Sequence, residues 1–491
     1  MLLSVPVLGN IIIDAVAGLG TWTLIIWVGR LLGICLVPSV LLQRSTRPMT
    51  ALAWILALIF IPYIGAILWW GLGRNYVERR SRRHEQARDR LAESFAALPH
   101  SGDATTDDKY PILHDEGGLF PQTSGNDVAV FRTSETAYDG FAAAIEEATD
   151  HIHIQFYIWR RDDTGIRFRD LLAEKARQGV EVRLLYDPVG SVKLGRRFFK
   201  PIVDAGGEVA KFLPLQIWEK HLRVNFRNHR KLLVIDGRCG FTGGINISDE
   251  YLEWFDMACG YEGDAVLQMQ ELFAEDWHFA TGENLVAPRY FPVDTGRPSY
   301  LHGADDPITD VDFRLVASGP DDRVDRIQKM FFVSITSAQN RAYVITPYLV
   351  PDGAILTALE TAAMRGVDVR IVIPARSDVP LTQYAGRAFW EPLLESGVRL
   401  YEFQPRILHA KLLLVDHRTV VMGSANMDVR SFRLNFEANA IMESPTLSAH
   451  LHEIFQDALR ESEEVQLEEF RNRSRRTRFA EGVARLFSPL L

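Results

Sequence analysis

Apolar residues follow two different patterns along this chain, and the change falls near position 111. Before it they come in unbroken blocks: over 22–42 only Arg30 is charged, and over 49–73 no residue is. As a helix rising 1.5 Å per residue, each block is long enough to cross a hydrocarbon core about 30 Å thick. The short polar run between them predicts a transmembrane helical hairpin over 1–73. Beyond 111, short apolar strands alternate with helices, and the order is given twice. HIHIQFYIW, 167–178, VEVRLLYD and KLLVID predict strand, helix, strand and strand; AYVITPYLV, 354–365, VDVRIVIP and KLLLVD repeat them. Gly179-Val180-Glu181-Val182-Arg183 and Gly366-Val367-Asp368-Val369-Arg370 nearly coincide, each glycine ending a helix before a buried strand. The alternation predicts an α/β fold with a mostly parallel sheet covered on both faces. Two similar halves, 111–300 and 301–491, should pack about a pseudo-twofold axis, with the Pro-, Gly- and Asp-rich stretch 294–310 as crossover.

Charge adds an orientation. The net charge of −9 hides a basic linker, 74–110, whose run RNYVERRSRRHEQARDR includes Arg79, Arg80, Arg82 and Arg83. The turn between the apolar blocks offers only Arg44 and Arg47. The positive-inside rule therefore places the chain beyond the second block in the cytoplasm of a multi-pass membrane protein. The arginine run is expected to meet anionic headgroups. A cleaved signal peptide fits poorly, since no basic residue precedes the first block. The acidic balance argues against nucleic acid as a partner. Cys35, Cys239 and Cys259 show no metal-ligand spacing and suit a reduced setting. Near the C-terminus, Phe479, Val483, Leu486, Phe487 and Leu490 recur at helical spacing among arginines, predicting an amphipathic helix. Docking on the protein's own domain and lying in a membrane interface fit that helix equally.

The candidate chemistry lies in HRKLLVID and HAKLLLVD. His229, Lys231 and Asp236 recur as His409, Lys411 and Asp416, 180 positions later, each set followed by Asn246 or Asn426. Accidental matches to His-x-Lys-x₄-Asp are expected about 0.01 times in such a chain, so two are not coincidence. Only 9 of the 54 basic residues are lysines, yet both motifs use one, which points to a need for a compact ammonium. A phosphodiester carries a negative charge that repels nucleophiles. Lys231 and Lys411 would neutralise it, with Asn246 and Asn426 donating to the same oxygens. One imidazole can then attack phosphorus while the other serves the leaving group as acid and the acceptor as base. Asp236 and Asp416 lie beyond their strands on the opposite parity, where they would hold a loop. No nucleotide-binding Gly-x₄-Gly-Lys-[Ser/Thr] loop and no metal-ligand run occurs, so neither cofactor nor metal is expected.

The paired motif resembles that of the phospholipase D superfamily, whose members carry it on a duplicated domain. The runs NFRNHRKLLVIDGRCGFTGGINISDEY and GSANMDVRSFRLNFEAN, behind a membrane hairpin, are similar to the bacterial cardiolipin synthase branch. That resemblance implies transfer of a phosphatidyl group from one phosphatidylglycerol to another, giving cardiolipin and glycerol at the bacterial inner membrane. The alternative is a membrane-bound phospholipase D that releases phosphatidic acid. The resemblance also implies that His229 is the nucleophile, that His409 is the acid and base, and that Asp256 and Glu437 orient the imidazoles. The near-symmetry of the motifs by itself assigns neither histidine, and the oligomeric state stays open. His151 and His153, in a strand, read as structural or surface, and Trp254, Asp276 and Trp277 as packing. His221, Arg223, Tyr348 and Asp352 are further candidates for the rim of the site.

Overall fold

The computed structural model describes residues 21–43, 48–70, 91, 95, 120–195, 197–212, 226–292, 300–301, 306–320 and 325–490. The chain divides into an N-terminal unit and a larger unit that begins at Ser81 and holds both motifs. In the first, α1 (Thr21–Gln43), α2 (Pro48–Phe60) and α3 (Pro62–Leu68) follow one another. Among the described residues α1 is the one helix long and apolar enough to cross a membrane. The second expected span is not a single helix. Pro62 has no N–H to offer Leu58, and α2 ends at Phe60. The two pieces still pack against α1. A Cβ on Gly33 would come within 2.1 Å of the Leu58 carbonyl, so only glycine permits that approach. Tyr63 donates to the Ile25 carbonyl at 2.6 Å, and Trp69 Nε1 to Ser39 at 2.8 Å. Arg44, Arg47 and the arginine run after position 73 lie outside the described residues.

The larger unit is built on strands. In its first half they are β1 (Thr123–Phe131), β2 (His151–Phe156), β3 (Glu181–Tyr186), β4 (Glu208–Lys211), β5 (Arg227–Asn228), β6 (Leu232–Ile235), β7 (Cys239–Gly243) and β8 (Ala258–Glu262). The second half supplies β9 (Ile308–Ser318), β10 (Arg341–Ile345), β11 (Leu349–Val350), β12 (Asp368–Pro374), β13 (Arg399–Phe403) and β14 (Leu412–Val415). It continues with β15 (Thr419–Gly423), β16 (Met427–Asp428), β17 (Asn435–Glu443) and β18 (Ser462–Glu464). Among the described residues one 16-stranded sheet runs β4-β3-β2-β6-β7-β8-β1-β9-β17-β15-β14-β10-β12-β13-β18, with β5 attached to β17. Reading outward from the β1–β9 boundary meets corresponding strands in the same order on both sides, so the pseudo-twofold axis passes there.

The sheet is mixed, not mostly parallel as the alternation predicts. The strands β2-β3-β4 and β10-β12-β13 pair in parallel, as helical crossovers require. The central strands β6-β7-β8-β1 and β14-β15-β17-β9 pair antiparallel, because short turns join β6 to β7 and β14 to β15. Periodicity alone does not separate these arrangements, since both motif strands are apolar on both faces.

Each motif strand is buried on both sides with period two. Leu232 and Val234 face a core shared with Leu412 and Leu414 and lined by α6 (Asp264–Thr281) and α10 (Pro445–Arg460). Their neighbours face outward cores private to each half: Leu233 and Ile235 meet α4 (Ser134–Glu147) and α5 (Asp163–Arg177). Leu413 and Val415 meet α7 (Arg326–Ser337) and α8 (Gly353–Met364) in the same way. At roughly 1.5–3 kcal/mol per buried aliphatic side chain, these contacts fix the motif strands and bind the halves into one body. Near the C-terminus α11 (Arg475–Arg485) packs against α9 (Pro380–Arg387).

Candidate active site

The two motif loops are built alike. After β6 the backbone turns at Asp236, held at φ 52°, and after β14 at Asp416, also at φ 52°. The Asp236 carboxylate accepts from the backbone N–H groups of Thr149, Asp150 and His151 and from the Thr149 hydroxyl, all within 2.9 Å. Asp416 accepts from the N–H groups of Gln339, Asn340 and Arg341. Both aspartates thus tie the turn to the start of the adjacent strand, β2 or β10, and neither bonds a motif histidine or lysine.

At the other end of the motif strands the halves exchange partners. Strand β5 pairs in parallel with β17, and His229 N–H donates to the Phe436 carbonyl at 2.9 Å. Phe255 bridges to Leu408, and His409 N–H donates to the Phe255 carbonyl at 2.7 Å. Phe436 and Phe255 each precede an acid, so this pairing carries each acid to the opposite half's imidazole. His229 Nδ1 lies 3.0 Å from Glu437 Oε2, and His409 Nδ1 lies 2.6 Å from Asp256 Oδ2. Both acids are fully buried. A carboxylate can only accept here, so each Nδ1 carries the proton and each Nε2 keeps its lone pair. The sequence shows that two acids recur; that they cross between halves comes from the strand pairing.

The two acids are held differently. Ser424 donates to Glu437 at 2.5 Å, and Asn435 Nδ2 donates to its other oxygen at 3.0 Å. At Gly244, the counterpart of Ser424, a Cβ would come within 2.1 Å of Asp256, which fills the space itself.

Lys231 Nζ donates to the His229 carbonyl at 2.6 Å and lies 5.5 Å from the centre of the Tyr157 ring. Lys411 Nζ donates to the His409 carbonyl. It also sits 2.8 Å from His409 Nδ1, but that nitrogen already donates to Asp256 and is not its acceptor. Burial lowers Lys231 to about 7 and Lys411 to about 8. It also lowers His229 to about 4, with Lys231 and Lys411 adding to the shift and Glu437 opposing it. His409 is lowered by burial and by Lys411. Burial would raise Glu437, yet His229, Lys231 and Ser424 hold it below the usual carboxylate range. Two lysine ammoniums are therefore confined beside neutral imidazoles, an arrangement that favours an arriving anion.

The two asparagines are not equivalent. Asn246 is fully buried; its Oδ1 accepts from Ile158 N–H at 2.9 Å and its Nδ2 donates to Tyr251 at 2.5 Å. Asn426 Oδ1 is buried with no hydrogen-bond partner among the described residues. Asn246 gives one of its two Nδ2 N–H groups to Tyr251, so the two amides stand at the site with different partners.

Several residues near the site were not legible as such. Tyr157 stacks edge-on against His229 at 4.9 Å, while Tyr251 and Trp254 flank His409 at 5.5 and 5.3 Å. Asp187 accepts from Asn228 N–H at 2.9 Å and steadies β5. Arg230, between His229 and Lys231, pairs with buried Asp276 at 2.6 Å and donates to the carbonyls of Glu437 and Ser318. Asp276 is thus one end of a strut between the halves and more than packing. The alternation of charge and apolar residues in the motifs gives no sign of these contacts. Tyr348 donates to Asp378 at 2.8 Å. Asp352 caps α8 and pairs with Arg433. His151 and His153 are buried, His153 stacking on Phe273 at 4.7 Å. His221 and Arg223 lie outside the described residues. Among the described residues no three His, Cys, Asp or Glu side chains form a candidate metal cage.

Comparisons with known proteins agree with this architecture. The family model described as cardiolipin synthase, PLD-like domain matches twice, over 141–277 and 332–459. A phospholipase D-nuclease N-terminal model matches 31–74. The chain is 36% identical to a cardiolipin synthase of Geobacillus kaustophilus across 95% of both chains. It is 34% identical to the major cardiolipin synthase ClsA of Bacillus subtilis, covering 94% of this chain and 98% of that one. The fold is similar to a phosphatidylserine synthase of Haemophilus influenzae, with a TM-score of 0.56 at 15% identity over 74% of this chain and 95% of that one.

Proposed function

The chain belongs to the cardiolipin synthase family of phospholipase D-like proteins, and from that premise we propose that it joins two phosphatidylglycerols into cardiolipin and glycerol. The observation that carries the mechanism is the crossed pairing of His229 with Glu437 and of His409 with Asp256. Two imidazoles are thereby oriented alike by opposite halves, each with Nε2 free.

In the first step the donor phosphate sits between Lys231 and Lys411. The Nε2 lone pair of His229 forms a bond to phosphorus, and the bond from phosphorus to the glycerol headgroup oxygen breaks. His409 gives that oxygen a proton, releasing glycerol. The anionic substrate offsets the field of Lys411, which favours protonated His409 at the moment it is needed. In the second step neutral His409 takes the proton of a headgroup hydroxyl on a second phosphatidylglycerol. The freed oxygen attacks phosphorus, and the phosphorus–nitrogen electron pair returns to His229. One phosphodiester is exchanged for another, so no nucleotide is consumed. Asp256 and Glu437 fix the tautomers and stabilise each imidazolium as it forms.

The substrate class suits the N-terminal unit. Leu42, Phe60 and Ile67 are 82%, 73% and 72% exposed, an apolar surface that lipid would cover. With the arginines that follow position 73, this supports a membrane hairpin whose catalytic unit lies in the cytoplasm and meets anionic lipid. The family membership and these arginines favour the inner membrane of a bacterium.

Incubating the purified full chain with labelled phosphatidylglycerol, and resolving cardiolipin, phosphatidic acid and glycerol, tests the reading. Cardiolipin and glycerol should appear in equal amounts. Phosphatidic acid as the main product would identify a hydrolase.

A further inference from the structure

The last helix is fastened to the second half by polar contacts and turns its apolar residues outward. Glu481 is buried, accepting from Arg387 Nε at 3.1 Å and from Arg473 Nε at 2.8 Å. Ala484, one turn later, is buried beside Phe389 and Ala385 of the α9 region. Just beyond α11, the Leu490 carbonyl accepts from Arg430 Nη1 at 3.1 Å. None of these ties uses the apolar face that the sequence pattern predicts. Phe479 is 75% exposed and Leu486 77%, and Phe487 and Leu490 are exposed with them. From α9, Leu381 and Tyr384 extend the same apolar character.

Charge indicates what covers this surface. Arg475, Arg476, Arg478 and Arg485 of α11 are all exposed, while its one acid, Glu481, is turned inward. A helix that shows bulky apolar groups and cations, and hides its anion, has the composition of one lying in the interface of an anionic bilayer. The location fits a lipid-handling site. Asp378, two residues before α9, accepts from Tyr348, and its charge acts on both His409 and Lys411. Arg430, which holds the end of the chain, belongs to the run that follows Asn426.

We infer that α11, with α9, forms an interfacial dock that sets the second half on an anionic lipid surface beside the active site. The inference rests on the proposed function in that the substrate must be drawn from a bilayer.

Two measurements on the full chain test it. The first compares Phe479→Glu/Leu486→Glu with the unaltered chain, on phosphatidylglycerol in mixed phosphatidylcholine vesicles and in detergent micelles. In vesicles KM should rise about tenfold with kcat within about twofold, and in micelles both should stay within about twofold. Phe479→Leu/Leu486→Phe should behave as the unaltered chain. Equal KM in vesicles, or an equal loss in vesicles and micelles, overturns the dock. So does conversion of a dimer to a monomer by the glutamates, which would make this face a subunit interface. The second places a nitroxide on Phe479→Cys in a Cys35→Ser background, with the chain in phosphatidylglycerol nanodiscs. Oxygen should reach the label more readily than a water-soluble nickel chelate, and the reverse order overturns the inference. This reading needs no turnover, so a chain that makes no cardiolipin yet buries the label would refute the function and leave the dock standing.

Discussion

At the scale of single residues, catalysis depends on neutral imidazoles beside lysines that hold their protons weakly. Lys231 at about 7 and Lys411 at about 8 lie near the working range. Rising pH removes their protons and with them the charge that receives the phosphate. The profile of kcat/KM, which reports the free enzyme, should therefore fall on its basic side between about pH 7 and 8. The kcat profile should fall at higher pH, because the bound phosphodiester favours the ammonium forms. A kcat/KM that stays flat to about pH 10 contradicts this. His229, at about 4, stays neutral throughout that range and contributes no loss there. Glu437→Gln removes the anion opposite His229 Nδ1 and lets the amide favour either tautomer. We expect kcat to fall about a hundredfold or more with KM nearly unchanged, as measured on phosphatidylglycerol in micelles. Unchanged kcat would show that Glu437 has no part in orienting the nucleophile. These residue types were legible from sequence because His and Lys recur at matched spacing and the two acids at similar distances beyond them. The engagement of Asn246 with Tyr251 was not, since spacing does not report which polar neighbour occupies an amide.

At the scale of elements, the motif aspartates serve the turn. Asp236 receives three backbone N–H groups and a hydroxyl, at a positive φ that few side chains tolerate. Asp236→Ala leaves those donors without an acceptor and should cost about 2–4 kcal/mol in thermal unfolding. Asp236→Asn accepts positive φ and keeps one acceptor oxygen, so its loss should be smaller. The reverse order, or a large fall in kcat with an unchanged melting temperature, would assign Asp236 a direct part in chemistry. The opposite parity of this aspartate on its strand is what made a loop-holding role readable. The sheet was less readable. Buried apolar runs such as KLLVID suit parallel and antiparallel pairing alike, and it is the turn after Asp236 that sets the antiparallel choice. Pro62 carried a signal that the unbroken apolar block concealed, since hydropathy counts proline's neighbours and ignores the lost N–H.

At the scale of the whole molecule, the halves complete one another: β5, beside His229, pairs with the start of β17, where Glu437 lies, and Leu408, beside His409, bridges to Phe255, beside Asp256. Duplication was legible from the repeated order of elements, but the exchange was not, because no local pattern encodes contacts across 208 and 153 residues. The proposed topology has its own check. With single cysteines at Arg44→Cys and Arg82→Cys, a maleimide that does not cross membranes should label only the first in intact cells, and labelling of the second would invert the orientation. The mechanism turns on a covalent phosphatidyl-enzyme on His229, released with the help of His409. Mass spectrometry of His409→Asn, after exposure to a phosphatidyl donor with a good leaving group that needs little protonation, detects it. A phosphoryl group should accumulate on His229, and His229→Ala should carry none. A phosphoryl group on His409 in the His229 variant, with none ever on His229, would contradict the assignment.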